Sequence, residues 1–326
     1  MLHPITVCAP PTSGKVVLTA LLEGHPDIFS FASWHDNIAP GLGYFSFTPQ
    51  DDIVQRNLVL RRLEVIQRLL WMCTRWPELE YFARQGFVPY SLSFSNILRL
   101  PFDFDFYDFT RDVVDGFVAH EQLDARMIFS IIFTALFQRM YPGAAILPRY
   151  AVSEGIGGFY RFPLLAELYP EGRIIYIARD IEAAYYSNIS RWALIAGRSF
   201  AAHLQHILQI EGRVAQIKRC FKADTAAKAM AAERPDMLFL ITFEDLLLDT
   251  ESVMRKLCAW LDVEYLPCLR QATWFGKLID PAVTGVIHDD FTSFSRTQDA
   301  VLLKETFASL RDEALLKATL YDEMQE

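Results

Sequence analysis

Residues 5–26 read ITVCAPPTSGKVVLTALLEGHP, and this stretch decides the fold. Ile5 to Ala9 is a short apolar, β-branched run, which predicts a buried strand. Pro10 to Lys15 is a turn with polar tips and one glycine. From Val16 onward, Val17, Leu18, Leu21 and Leu22 fall on one helical face. A strand, a loop of small residues and a helix start together make an anion site. The first helical amides have no intrahelical partner, and the macrodipole adds partial positive charge there. Gly14 lets a phosphate approach the backbone, and Lys15 adds a full charge. The plainer alternative is a glycine turn joining a strand to a helix.

Composition narrows the classes. The chain has 326 residues, 52% of them hydrophobic, enough for one large α/β domain. No linker, low-complexity run or repeat divides it, so a single domain over 1–326 is expected. A net charge of -9 without a basic run argues against nucleic acid as a partner. The best apolar run, Met127 to Phe137, is short and flanked by charge, so no membrane span is expected. Met1 to Pro4 lacks the basic region of a signal peptide. Cys8, Cys73, Cys220, Cys258 and Cys268 form no CxxC pair, so neither a disulfide framework nor a metal site is indicated. Four or five of them read as small buried apolar residues in a reducing, cytoplasmic protein. Composition leaves the oligomeric state open, a homodimer included.

Farther along, Asp27 to Pro49 is rich in Gly, Pro and aromatic residues and carries Trp34-His35-Asp36-Asn37. Asp51 to Trp76 has helical spacing. Leu100 to Phe109 alternates aromatic and acidic residues, which as a strand puts Phe on one face and Asp on the other. Either this is an edge strand with a solvated acidic face, or Asp103, Asp105 and Asp108 line a pocket for a cationic small molecule. Thr110 to Tyr141 returns to helix, so residues 34–147 form a mostly helical insertion of the kind that supplies a substrate wall. Arg149 to Glu154, Arg173 to Asp180 and Met237 to Phe243 read as further strands, the second ending in charge. Ser199 to Ala232 and Val301 to Tyr321 read as helices, and Thr250 as the cap of a helix ending at Leu261. In an open parallel sheet, ligands bind beyond the carboxyl ends of the strands. Glu154, Arg179 and the Thr12 to Val16 loop belong to that edge.

Two families use such a first loop. The nucleoside-triphosphate P-loop needs GxxxxGK[ST]. Here Ala9 replaces the first glycine and Val16 the magnesium-binding hydroxyl, which weakens a kinase reading. Pro11-Thr12-Ser13-Gly14-Lys15-Val16-Val17-Leu18, ending at His25-Pro26, resembles instead the first loop of the sulfotransferases that use 3′-phosphoadenylyl sulfate (PAPS). That family carries a cation where Thr12 stands and two threonines where Lys15-Val16 stand. Its second signature, fPdakfIyivRDPrdvavS, resembles Tyr169 to Ser187, YPEGRIIYIARDIEAAYYS. Strand, Arg-Asp pair and serine offset agree, and only the proline is replaced, by Ile181. Phe243-Glu244-Asp245-Leu246 resembles a third, mainly structural, pattern.

The resemblance implies a three-layer α/β sulfotransferase fold with a P-loop-like sheet and a helical acceptor lid. It implies transfer of a sulfonate from PAPS to a hydroxyl or amine of a small-molecule acceptor, with release of adenosine 3′,5′-bisphosphate and without a required metal. A cationic or natural-product metabolite suits the aromatic and acidic lid. By resemblance, Thr12, Ser13, Gly14, Lys15, Val16 and Val17 form the 5′-phosphosulfate loop. Arg179 and Ser187 grip the 3′-phosphate, with Arg296 as the late basic residue that closes over it. Glu154, His35 and Asp36 are the candidates for the base on the acceptor. Lys15 stands in for the loop cation absent at Thr12. Two alternatives remain: a sulfotransferase-fold protein that binds a nucleotide without catalysis, and a P-loop kinase.

Overall fold

The structure is a computed structural model that describes residues 2–30, 105–121, 123–155, 169–274 and 298–316, with 63, 66–67, 70, 166 and 277–278. Strand β1 (His3–Cys8) feeds helix α1 (Lys15–Leu22), and β2 (Ile28–Phe29) follows. Helices α2 (Phe106–Val118) and α3 (Ala125–Met140) come next, then β3 (Tyr150–Gly155) and β4 (Arg173–Ala178). Helices α4 (Ile181–Ile195), α5 (Phe200–Leu208) and α6 (Glu211–Glu233) lead to β5 (Leu238–Thr242). Helices α7 (Phe243–Leu248), α8 (Thr250–Leu261) and α9 (Gln298–Leu316) follow, with a 3-10 turn at Pro267–Arg270 and a short antiparallel pair of β6 (Thr273–Trp274) and β7 (Lys277–Leu278).

The five main strands form one sheet in the order β2-β3-β1-β4-β5. Every pairing in it is parallel. A parallel sheet is covered on both faces, so its strands carry near-continuous apolar runs, as in ITVC and IIYIA. The pleat sorts these residues into two cores. Ile5, Val7, Ile175, Ile177 and Ile241 share one with Leu18 and Leu22 of α1 and Met254 and Leu257 of α8. Cys8, Ile174 and Tyr176 share the other with Phe129 and Phe133 of α3, Cys220 of α6 and Phe307 of α9. The expected three-layer α/β arrangement is the observed one. The chain reverses direction across the sheet at β1, which is flanked by β3 and β4. Ligand crevices form at such switch points.

Four local expectations need correction. The Phe/Asp alternation is not a strand to Phe109: a helix begins at Phe106, because the Asp105 carboxylate accepts from the Asp108 amide (2.9 Å) and caps it. Residues 110–141 are two helices, not one, since α2 ends at Val118 and Asp124 caps α3. The two pack closely where Gly116 meets Ile131; a Cβ on Gly116 would lie 2.6 Å from Ile131 Cγ2. Residues 199–232 likewise divide at Gln209-Ile210. Thr250 is not the cap of α8 but its first residue, and its hydroxyl donates back to Leu246 O (2.8 Å). The terminal helix runs over Gln298–Leu316, and the remainder of its expected span lies outside the described residues.

Among the described residues no helix is long and apolar enough to cross a membrane, and no cluster of His, Cys, Asp and Glu could hold a metal ion. Cys8, Cys220 and Cys258 are buried and Cys268 is exposed, while Cys73 lies outside the described residues. Burial pushes the Cys8 and Cys220 thiols up to about 12 and Cys258 to about 11. At pH 8 the two deepest thiols are then thiolate to roughly one part in 10⁴, too little to alkylate. Iodoacetamide on the native protein is therefore expected to modify Cys268 and to spare Cys8, Cys220 and Cys258 until the chain is unfolded. Peptide mass spectrometry checks this, and adducts on Cys8 as fast as on Cys268 would contradict the buried placement.

Candidate active site

The site grows from the end of β1. Leaving the strand at Cys8, the chain must turn sharply to enter α1. It does so with two residues in the left-handed region, Thr12 (φ 55°) and Gly14 (φ 82°). For glycine this conformation is free, whereas for threonine it is held by contacts. The Thr12 hydroxyl is shared between the carbonyls of Pro11 (2.7 Å) and Ala184 (2.6 Å). Ala184 lies in the first turns of α4, so Thr12 ties the first loop to the helix that follows β4. Ser13 is buried, with its hydroxyl 3.4 Å from Pro11 O.

The start of α1 is left open. Gly14 is its N-cap and offers no side-chain bond. The first backbone bond of the helix runs from Leu18 N to Gly14 O (3.0 Å), so the amides of Lys15, Val16 and Val17 precede the ladder. The neighbouring α4 differs. Its N-cap, Asp180, accepts from the Ala183 amide at 2.7 Å and satisfies its own helix end. Among the described residues, the start of α1 lacks the side-chain cap that α4 has, the arrangement that suits an anion. Lys15 Nζ donates to Ala9 O at 3.3 Å, so its ammonium rests against the loop's own backbone.

Arg179 follows β4 directly, and β4 is the neighbour of β1. Its guanidinium donates to the carbonyl of Thr12, the second tie between the loops. It also lies over the ring of Phe243, 4.2 Å from the centroid. Burial lowers its pKa, while the nearby Glu244 and Asp180 carboxylates raise it. A guanidinium stays charged through such opposed shifts. Phe243 is itself packed on Gly14: a Cβ added there would lie 2.8 Å from Phe243 Cδ2. Gly14, Phe243 and Arg179 thus form one stack at the carboxyl edge. Its aromatic member was not singled out as a site residue in the sequence, where it closes the MLFLITF strand and opens the Phe243-Glu244-Asp245-Leu246 pattern.

The other expected residues fall as follows. Ser187 sits on α4, exposed, about two turns into the helix. Glu154 is the next-to-last residue of β3, in register with Val7 of β1 and so at the same edge. Val16 and Val17 lie in the first turn of α1. His35, Asp36, Asp103 and Arg296 lie outside the described residues. Asp105 serves as a helix cap. Asp108 pairs with Arg139 (2.8 Å) and Arg111 (2.6 Å), and Arg139 also bonds Asp112 (2.6 Å). This ion-pair network joins α2 to α3, so in this structure the Asp108 carboxylate works within the protein. His25 is buried: its Nε2 lies 2.7 Å from Glu264 O, and its Nδ1 accepts from Asp27 N at 3.1 Å. Those contacts give His25 a structural role at the exit of α1.

Residues 108–267 match the model of the sulfotransferase family. The match takes in Arg179, Ser187, Phe243 and Glu244, while the first loop precedes it. The sulfotransferase domain from the Synechococcus PCC 7002 olefin synthase is similar over 94% of this chain and 95% of its own, at 17% identity and a TM-score of 0.45. The sulfotransferase domain from the curacin biosynthetic pathway is similar over 94% of this chain and 98% of its own, at 12% identity and a TM-score of 0.47. Sulfotransferase STF9 from Mycobacterium avium is similar over 82% of this chain and 66% of its own, at 14% identity and a TM-score of 0.42. No curated protein matches the chain.

Proposed function

We propose, from the match of residues 108–267 to the model of the sulfotransferase family, that the chain transfers a sulfonate from PAPS to a hydroxyl or amine of a small-molecule acceptor. The observation that carries this reading is the joining of two loops at one sheet edge, by Arg179 to Thr12 O and by Thr12 Oγ1 to Ala184 O. A donor with phosphate at both ends needs two anion contacts at a fixed separation, and the paired loops supply them. The open amides of α1 take the 5′-phosphosulfate. Arg179, with Ser187, takes the 3′-phosphate, the group that distinguishes PAPS from ATP.

Catalysis then consists of alignment and charge stabilisation, as in phosphoryl transfer. The acceptor oxygen or nitrogen attacks sulfur, and the bond from sulfur to the bridging phosphate oxygen breaks. Charge builds on the leaving phosphate, which departs as adenosine 3′,5′-bisphosphate. The α1 amides and Lys15 oppose that charge, Lys15 by exchanging its bond to Ala9 O for one to the leaving oxygen. The acceptor proton goes to a base within hydrogen-bond reach, for which Glu154, His35 and Asp36 are proposed.

One observation favours a second reading, nucleotide binding without turnover. Thr12 stands where the family has a cation, and its hydroxyl is engaged by Ala184 O. Incubation with labelled PAPS and a panel of metabolites separates the readings, with the gain of a sulfonate measured by mass. Product formation is expected. Tight binding of adenosine 3′,5′-bisphosphate with no product from any acceptor would select the binding protein, and magnesium-dependent ATP consumption would select a kinase.

A further inference from the structure

We propose that Phe243 is a positioning residue, holding Arg179 against the first loop and so setting the distance between the two phosphate contacts; this rests on the PAPS reading above. Arginine has a long stem with several rotamers, and a guanidinium that must meet a phosphate with a forked pair of bonds loses affinity if it wanders. Here it is confined on two sides. The Phe243 ring lies beneath it at 4.2 Å, and the Thr12 carbonyl accepts one of its N–H groups. On its other side the ring packs against the Gly14 backbone. It is 4% exposed, and its Cδ2 and Cε2 atoms come within 2.8 and 2.9 Å of where a Gly14 Cβ would be. It also sits where β5 passes into α7, so its backbone is set by the sheet. A rigid ring between the cap of α1 and the cation after β4 works as a spacer between the two anion sites.

A spacer acts on one end of the ligand, which separates it from a residue that merely packs. The full chain is titrated calorimetrically with adenosine 3′,5′-bisphosphate and with adenosine 5′-monophosphate, and the ratio of the two affinities reports the 3′-phosphate contact. Phe243→Leu removes the aromatic face and is expected to lower that ratio roughly 3- to 30-fold while leaving the monophosphate within about twofold of wild type. Phe243→Tyr, which keeps the face, retains the ratio. In an Arg179→Ala background, Phe243→Leu changes the ratio no further. Equal losses for both nucleotides would assign the ring to nucleoside contact or to folding and overturn the proposal. A wild-type preference that survives Phe243→Leu overturns it alone, whereas a wild-type ratio of one overturns the PAPS reading and this inference with it. If Phe243→Leu lacks a cooperative melt, Phe243→Met takes its place under the same criteria.

Discussion

Arg179→Ala is expected to lower kcat/KM for PAPS by about 10²- to 10³-fold, the largest effect of any single change outside the base. The guanidinium would make two charge-assisted bonds to the 3′-phosphate, together worth roughly 3–4 kcal/mol, and each 1.4 kcal/mol is tenfold. Arg179→Lys keeps the charge but not the fork, so it recovers about tenfold of that loss. The variant also loses stability, because the Thr12 carbonyl loses its donor and the Phe243 ring its cation. Leaving a part-buried carbonyl unpaired costs about 1–3 kcal/mol. Thermal melts without nucleotide measure that cost separately, so a folding defect cannot pass for lost donor contact. If Arg179→Ala folds and turns over PAPS at the wild-type rate, the second loop is not the 3′-phosphate contact.

The strands were the legible part of this molecule. ITVC, RIIYIA and LFLIT are largely apolar runs followed by Pro, Arg-Asp or Glu-Asp, and each of these strands falls within two residues of where the pattern puts it. The helix from Phe106 was not legible, because Phe102, Phe104 and Phe106 fit a period of two until the Asp105 cap chooses the start. Once it does, Phe109, Val113 and Phe117 become the buried stripe. The two-residue strand Ile28–Phe29 is too short to have a period at all. At the site, the loop and Arg179 could be found from local spacing. The ties between them could not, since Thr12 and Ala184 are 172 positions apart and nothing local to either marks the other. The same holds for Phe243 and Gly14, whose contact depends on the strand order β1-β4-β5. Threonine at position 12 reads in the sequence as a missing cation, whereas in the fold it is a connector.

Gly14→Ala is expected to cost about 2–5 kcal/mol, the sum of two separable terms. The first is conformational. At φ 82° and ψ 13° an alanine sits in the left-handed region, at about 1–2 kcal/mol. The second is steric. The new Cβ would fall 2.8 and 2.9 Å from two carbons of the Phe243 ring, and the ring cannot yield freely because Arg179 lies on its face and Leu246 Cδ2 is 3.7 Å from the same Cβ. Overpacking of that kind costs about 1–3 kcal/mol. For a chain of this length the total corresponds to a fall in Tm of roughly 3–8 °C. Gly24 isolates the first term: its φ is 86°, but nothing lies within 4 Å of an added Cβ. Gly24→Ala should therefore lose only the conformational part, and the difference between the two variants is the clash. Phe243→Leu, which frees the space, should recover part of the steric term in the Gly14→Ala background and none at Gly24. Affinity for adenosine 3′,5′-bisphosphate should fall with Gly14→Ala and not with Gly24→Ala, since only the former lies in the phosphate loop and displaces the ring under Arg179. Equal losses at the two glycines, measured by melting and by nucleotide titration, would mean that the ring does not constrain the loop.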